Sequence, residues 1–434
     1  MKRPKSLVIS LAVLSIAVAI GCNDDPRLPS GEILTPFRLT PTPFEETMEV
    51  GAEELPQFMR SGWTTDFSKH SVSYSEIRSG GPGKDGIRPI DSPKFVDAFE
   101  PPDYMRPDEA VMVLEIGGDA RAYPLAIMIG HEIVNDMVGG VPVTVTYCPL
   151  CNSAVVFDRR LDGRVLDFGT TGNLRNSDLV MWDRQTESWW QQITGEAIVG
   201  ELTGMKLTFI PSQVLSWANF QQVYPDGKLL TRETGSLRNY DRPPYASYDL
   251  SARPFLFSGQ IDPRLEALER VFSLEFDGDA IAYPFSVLAQ HPVINDTFAG
   301  RDLVIFFVNS TLTPFPDDDI FPSGVGGGGG EAVRKAIETA IAESSPDDFL
   351  PSRAVGSTAV YNPNVNGQML TFSVQSGIIV DDQTGSVWDI AGRAVSGPLE
   401  GTRLEPLVHG NHFWFAWAAF FPDTAVRTAE DLGL

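Results

Sequence analysis

The feature that most constrains the fold is an internal echo. Gly118-Asp119-Ala120-Arg121-Ala122-Tyr123-Pro124 returns 160 residues later as Gly278-Asp279-Ala280-Ile281-Ala282-Tyr283-Pro284. The same offset carries His131 onto His291, Asn135 onto Asn295, Asp136 onto Asp296 and Gly140 onto Gly300. The echo resumes at an offset of 198, where Asp183, Gln185, Thr186, Ser188 and Trp190 match Asp381, Gln383, Thr384, Ser386 and Trp388. Turn glycines and core tryptophans are positions that a backbone fixes, so matches concentrated on them predict one supersecondary pattern built twice. The copies are read as 105–235 and 265–434, joined by a linker over 236–264.

The change of offset means that the second copy carries an insertion, placed at about 312–356 and rich in Gly and Asp. Its glycine run, Gly326 to Gly330, is read as flexible chain, because no Gly-Lys-Ser or Gly-Lys-Thr follows to make a phosphate cradle. The local pattern is mostly strand. Val111 to Ile116, a Gly-Gly-Asp turn and Ala120 to Tyr123 read as a hairpin. Val141 to Tyr147 and Val155 to Asp158 are β-branched runs. Helices are expected at Pro124 to Ile129, Pro211 to Val223 and Asn411 to Phe421. The expected class is α+β, β-rich, with an internal tandem duplication giving two similar lobes.

The N-terminus bears on compartment. Lys2, Arg3 and Lys5 precede an apolar run from Leu7 to Ile20, of signal-peptide length and too short to span a bilayer. Ala19-Ile20-Gly21-Cys22 resembles a lipobox, which makes 1–22 a lipoprotein-type signal and Cys22 the lipidation site. The alternative is an ordinary signal peptide with an incidental cysteine. Residues 23–104, with Thr40-Pro41-Thr42-Pro43 and Gly80-Gly81-Pro82-Gly83, read as a tether and irregular arm. The expected location is the cell envelope or periplasm, with the membrane as a partner through the lipid anchor. A net charge of -24 argues against nucleic acid, which demands clustered Lys and Arg.

The chain has three cysteines, and two of them, Cys148 and Cys151, form a Cys-Pro-Leu-Cys loop between strands of the first copy. The second copy has Val308-Asn309-Ser310-Thr311 there. Two thiols at this spacing can close a small disulfide, cycle as a redox couple or grip one soft cation. A thioredoxin fold is disfavoured, because Ser153 to Asp158 returns to strand instead of opening a long helix. A closed structural zinc site is disfavoured too, because it usually needs two such pairs. Soft thiolates outside the cytoplasm make copper(I) the metal candidate, with His131, Met137 or Met181 to complete the site. His131 is also the candidate base, although His291 persists where the thiols are gone. Asn135 and Asp136 read as turn or capping residues. His409 and His412, three apart, could share a helix face.

Arg175, Arg184 and Trp190 form a second polar and aromatic constellation. They are candidate substrate-binding residues for an anion, or turn chemistry and core. The chain has no Gly-x-Ser-x-Gly elbow, no His-Glu-x-x-His and no dinucleotide fingerprint, which lowers hydrolase and dehydrogenase readings.

Tyr123-Pro124, His131-Glu132-Ile133-Val134-Asn135-Asp136, the block Val143 to Ala154 and the stretches Leu179 to Thr186 and Ser188 to Gln192 resemble the bacterial family known as domain of unknown function 3179. Some members of that family are selenoproteins, with selenium at a cysteine of this loop. The resemblance therefore implies redox or soft-metal chemistry at Cys148 and Cys151 over a structural disulfide. The expectation is an exported dithiol redox protein, with Cys148 attacking, Cys151 resolving and His131 as base, acting on an unidentified redox partner or small molecule. The alternatives are a copper(I)-binding protein using the same cysteines and a non-catalytic envelope scaffold.

Overall fold

A computed structural model describes residues 55–241, 244–315 and 355–434. The signal segment 1–22 with Cys22, the tether up to residue 54 and nearly all of the 312–356 insertion lie outside the described residues.

The described chain is β-rich α+β. Its first half opens with the hairpin β1 (Ala110–Ile116) and β2 (Asp119–Pro124), then α1 (Leu125–His131). A meander follows, of β3 (Ile133–Val138), β4 (Val141–Cys148) and β5 (Ser153–Asp158). Next come β6 (Phe168–Arg175), β7 (Asp178–Asp183), β8 (Trp189–Gln191) and β9 (Glu196–Val199), paired in chain order. The half closes with β10 (Thr208–Ile210) on β5, β11 (Gln213–Ser216) on β1 and α2 (Trp217–Val223).

The second half presents the same order. It runs β12 (Arg270–Phe276), β13 (Asp279–Pro284), α3 (Phe285–Leu288), β14 (Val293–Phe298), β15 (Arg301–Val308) and β16 (Ser357–Asn362). It ends with β17 (Gly410–Phe413) on β12 and α4 (Trp414–Phe420). Matching residues make matching bonds. Tyr123 and Tyr283 each donate to the aspartate of the Asn-Asp pair, Asp136 and Asp296, at 2.7 Å. Asn135 pins the backbone of Phe168, and Asn295 that of Phe372. Trp190 and Trp388 donate to Asp183 and Asp381 at 2.9 and 3.0 Å. The Asn-Asp pairs are thus strand residues that tie one sheet to the next, where turn or capping roles were expected.

The halves are joined through their sheets. Val214 of β11 pairs with Thr358 of β16, which places strands of both halves in one sheet. The arm from Leu55 is docked as well: Met59, Tyr74 and Ile77 are buried with Trp182 and Trp189, and Ile77–Ser79 adds a strand to β6. Gly172 allows this close approach. It sits at positive φ in a bulge of β6, and a Cβ there would lie 1.8 Å from the Pro82 carbonyl oxygen.

Two expected helices begin late. Gln213 to Ser216 is strand because β1 claims its backbone, and Ser216 then caps α2 by accepting from the Asn219 N–H. Gly410 to Phe413 is likewise strand on β12, so His409 and His412 are not on a helix. Among the described residues no helix is long and apolar enough to cross a membrane.

Candidate functional site

The thiol loop is built at the end of a run of alternating Val and Thr. Such residues favour a half-buried or buried strand, and β4 is interior along almost all its length. Pro149 and Leu150 turn the chain, Asn152 takes the left-handed conformation at φ 50°, and β5 departs from Ser153. Asn152 side-chain oxygen accepts from the Tyr147 hydroxyl at 3.2 Å, which fixes the turn. The loop backbone is held from two further directions. Tyr248 donates to the Leu150 carbonyl at 3.1 Å, and the Phe413 N–H donates to the Cys151 carbonyl at 2.8 Å.

Both thiols are free and buried, Cys148 at 2% and Cys151 at 0% exposure. The Cys148 thiol points toward the Ser177 carbonyl at 3.7 Å. Asp178 joins them: the two sulfurs and one of its carboxylate oxygens lie within 4.8 Å of one another. Its Oδ2 accepts from Gln191 Nε2 at 2.6 Å and from the Ile193 N–H at 3.0 Å. Its Oδ1 is buried without a hydrogen-bond partner, as are Gln191 Oε1, Gln192 Oε1 and Ser153 Oγ. Buried acceptors in this state are costly, and they cluster around the thiols.

Glu132 faces the same interior. It ends α1 in the left-handed conformation at φ 62°, and its carbonyl accepts from the N–H of Tyr147, the neighbour of Cys148. Burial pushes the Glu132 carboxyl up to about 8, with Arg238 opposing the shift and Asp178 adding to it. Burial pushes Asp178 up to about 6, against its two hydrogen bonds and the thiols. Burial raises Cys148, hydrogen bonding with Cys151 opposes the rise, and the charges of Asp178 and Glu132 add to it. Cys151 is raised well above the usual thiol range by burial, by Cys148 and by Asp178. Burial is the first cause of all four upward shifts, so these acidic groups are held toward their neutral forms.

His131 lies beside this region without entering the donor group. Its Nδ1 is 2.6 Å from the Arg88 carbonyl and its Nε2 is 2.7 Å from the Tyr240 hydroxyl. Both nitrogens are engaged, and burial lowers its affinity for a proton. It anchors the end of α1, and through it the turn that carries Glu132. The candidate anion-binding residues are elsewhere. Arg175 pairs with Glu76 at 2.7 Å, and Arg184 pairs with Asp91 at 2.9 Å and with Asp85 at 3.6 Å. Trp190 is fully buried, edge-on to Phe168, with its indole N–H on Asp183. These three residues meet carboxylates and core; neither arginine joins the thiol cluster.

Asp178, Glu132, Gln191 and Gln192 were not singled out from sequence. A signal existed in the comparison of halves. Glu132 stands where the second half has Pro292, Cys148 where it has Val308, and the glutamines follow Trp190 where Asp389 and Ile390 follow Trp388. The polar residues peculiar to the thiol-bearing half are the ones that gather.

Fold and site together define a β-rich α+β protein with a buried dithiol–carboxylate cluster. The chain belongs to the family described as "Protein of unknown function (DUF3179)", whose model matches residues 84–424. No curated protein and no solved structure matches it.

Proposed function

We propose that the protein is a metal-binding protein that holds one thiophilic cation on Cys148, Cys151 and Asp178. The observation that carries the reading is the buried Asp178 carboxylate, lying against two free thiols with its Oδ1 unpartnered. Burial holds the two thiols and the carboxyl away from their charged forms. A cation reverses that balance, because a coordinating thiol gives up its proton outright. The donor set refines the copper(I) expectation. Two sulfurs alone suit copper(I), whereas a carboxylate oxygen beside them suits a borderline divalent ion such as Zn²⁺.

The dithiol redox reading keeps one specific support: Asp178, in contact with both thiols, is placed to take a proton from either. Against it stand the burial of both sulfurs and the upward shift of both thiols, since an attacking thiol needs access and thiolate character. Export and lipid attachment at Cys22 remain part of the proposal, and Cys22→Ala is expected to move the protein from the membrane fraction to the soluble one.

The deciding experiment is metal analysis of the soluble domain, prepared without chelator, beside Cys148→Ser and Asp178→Asn. One Zn²⁺ or copper per chain, lost in Cys148→Ser, supports the reading. A metal-free protein that takes up neither Zn²⁺ nor Cu⁺, and whose thiols oxidise reversibly to a disulfide, replaces it with the redox couple.

A further inference from the structure

We infer that the cleft between the β12–β13 turn and the end of α4 is a binding site for a small organic cation, carrying an alkylguanidinium or alkylammonium group. The site is independent of the thiol cluster and of any metal held there. The cleft has a volume of about 300 Å³, and its lining includes Asp279, Asp423, Phe298, Phe420, Phe421 and Ala425, with no Lys or Arg. A cleft of this size suits a small ligand. The β1–β2 hairpin shows what the same backbone does with a cation. The two hairpins share one register, Ile116 opposite Asp119 and Phe276 opposite Asp279. Their turns are pinned alike, with the Gly118 N–H donating to Glu115 at 3.0 Å and the Gly278 N–H to Glu275 at 2.6 Å. Each second strand takes a parallel neighbour, with Arg121 opposite Lys228 and Ile281 opposite Ala425. In the β1–β2 hairpin, Asp119 is filled by those two cations: Arg121 Nη2 lies 2.7 Å from its Oδ2 and Lys228 Nζ 3.2 Å from its Oδ1. The Arg121 guanidinium also lies over the Phe95 ring, 4.7 Å from its centre.

In the β12–β13 hairpin, Ile281 and Ala425 stand where those cations stand, and among the described residues the Asp279 carboxylate makes no hydrogen bond or ion pair. Arg427 takes over one task of Arg121 only, pairing with Asp296 at 2.9 Å. Side chains two apart on a strand share a face, so Asp279 stands on the face of Ile281, and Phe298 packs against the cluster that holds Ile281. The walls change together with the charge. Phe298 ends β14 where Val138 ends β3, and Phe420 ends α4 where Val223 ends α2. Two internal cations are thus gone and two phenyl rings are gained around one unpaired carboxylate. Phe420 already meets a cation, since Arg175 lies 5.4 Å from its ring centre while paired with Glu76 and outside the cleft lining. Arg264, beside the same loop, is engaged with Asp262 and with the carbonyls of Pro422 and Thr424. Aromatic faces beside a carboxylate attract an organic cation, whereas a hard metal ion needs several oxygens and gains nothing from the rings.

The test titrates n-butylguanidinium and its neutral isostere n-butylurea into the purified protein by calorimetry at low ionic strength. The expected result is saturable one-to-one binding of butylguanidinium, weakened by added salt, with butylurea bound about fivefold or more weakly. Asp279→Asn is expected to weaken butylguanidinium binding about fivefold. Ala425→Lys restores the lysine of the other hairpin, whose ammonium is expected to occupy Asp279 and exclude the probe; it serves in place of Asp279→Asn should that variant fail to fold. Blocked arginine, N-acetylarginine amide, separates the two sources of such a group: binding as tight as that of butylguanidinium assigns it to the side chain of a partner polypeptide, and rejection assigns it to a free molecule. No saturable binding, equal binding of the charged and neutral probes, or unchanged binding in Asp279→Asn overturns the inference. The comparison of the two probes needs no variant, so a folding defect leaves it intact.

Discussion

The sharpest quantitative consequence concerns Asp178 in the metal-free protein. Its carboxyl ionises at about 6 when folded, against an ordinary 3.8. Between those values the native state holds one proton more than the unfolded chain, so stability falls as pH rises, by about 1.4 kcal/mol per pH unit. Across the window from about pH 4 to about pH 6 the loss is about 3 kcal/mol, a large share of the stability of an ordinary domain. Asp178→Asn removes this titration. The asparagine oxygen can keep the bonds from Gln191 and Ile193, because both donate to the same carboxylate oxygen. Urea denaturation of chelator-stripped protein at closely spaced pH values is the assay. The stability gap between variant and wild type is expected to move by about 3 kcal/mol in favour of the variant from pH 4 to pH 7. With excess Zn²⁺ the order is expected to reverse, because a ligand that binds only the native state stabilises it and the variant lacks one donor. Identical pH slopes for the two proteins would refute the argument that this carboxylate is held against its preferred charge.

Three further outcomes follow from bonds outside the cluster. Trp190→Phe deprives the buried Asp183 of a donor and is expected to cost about 1–3 kcal/mol in urea denaturation, with metal uptake retained. Tyr123→Phe leaves Asp136 with Arg121 and should cost about 1 kcal/mol by the same measurement. Arg175→Ala breaks a partly exposed pair with Glu76 and a guanidinium contact over the Phe420 ring; it should change stability by about 1 kcal/mol or less, and metal analysis should give the wild-type stoichiometry.

The hairpin from Val111 to Tyr123 was legible because strand residues flank an obligatory turn, and the thiol loop was legible because β-branched runs bracket it. The helix expected from Pro211 was over-long, since Val214 and Leu215 fit a helical stripe and a buried strand equally well. Pairing with β1 decides between them, and no local pattern reports it. Arg175 looked like a free cation because its partner, Glu76, stands 99 residues away in an arm read as irregular. Asp178 escaped notice for the converse reason. It is one polar residue in a polar loop until the sheet of β6 and β7 lays it against the end of β4. Sequence located the thiols; the carboxylate that lies against them became visible only in tertiary structure.

The bond from Phe413 to Cys151 has a consequence for the order of events during folding. The thiol loop leaves the synthesis machinery early, whereas the strand that seals it is among the last segments made, about 260 residues later. Contacts that span so much chain form late, after shorter loops have closed. Until β17 docks, Cys148 and Cys151 stand open to whatever the compartment offers, whether metal, oxidant or another thiol. A C-terminal strand therefore sets when the Cys148–Cys151 loop is sealed. A chain truncated before Gly410 should show thiols that alkylating reagents reach at once, where the full chain protects them.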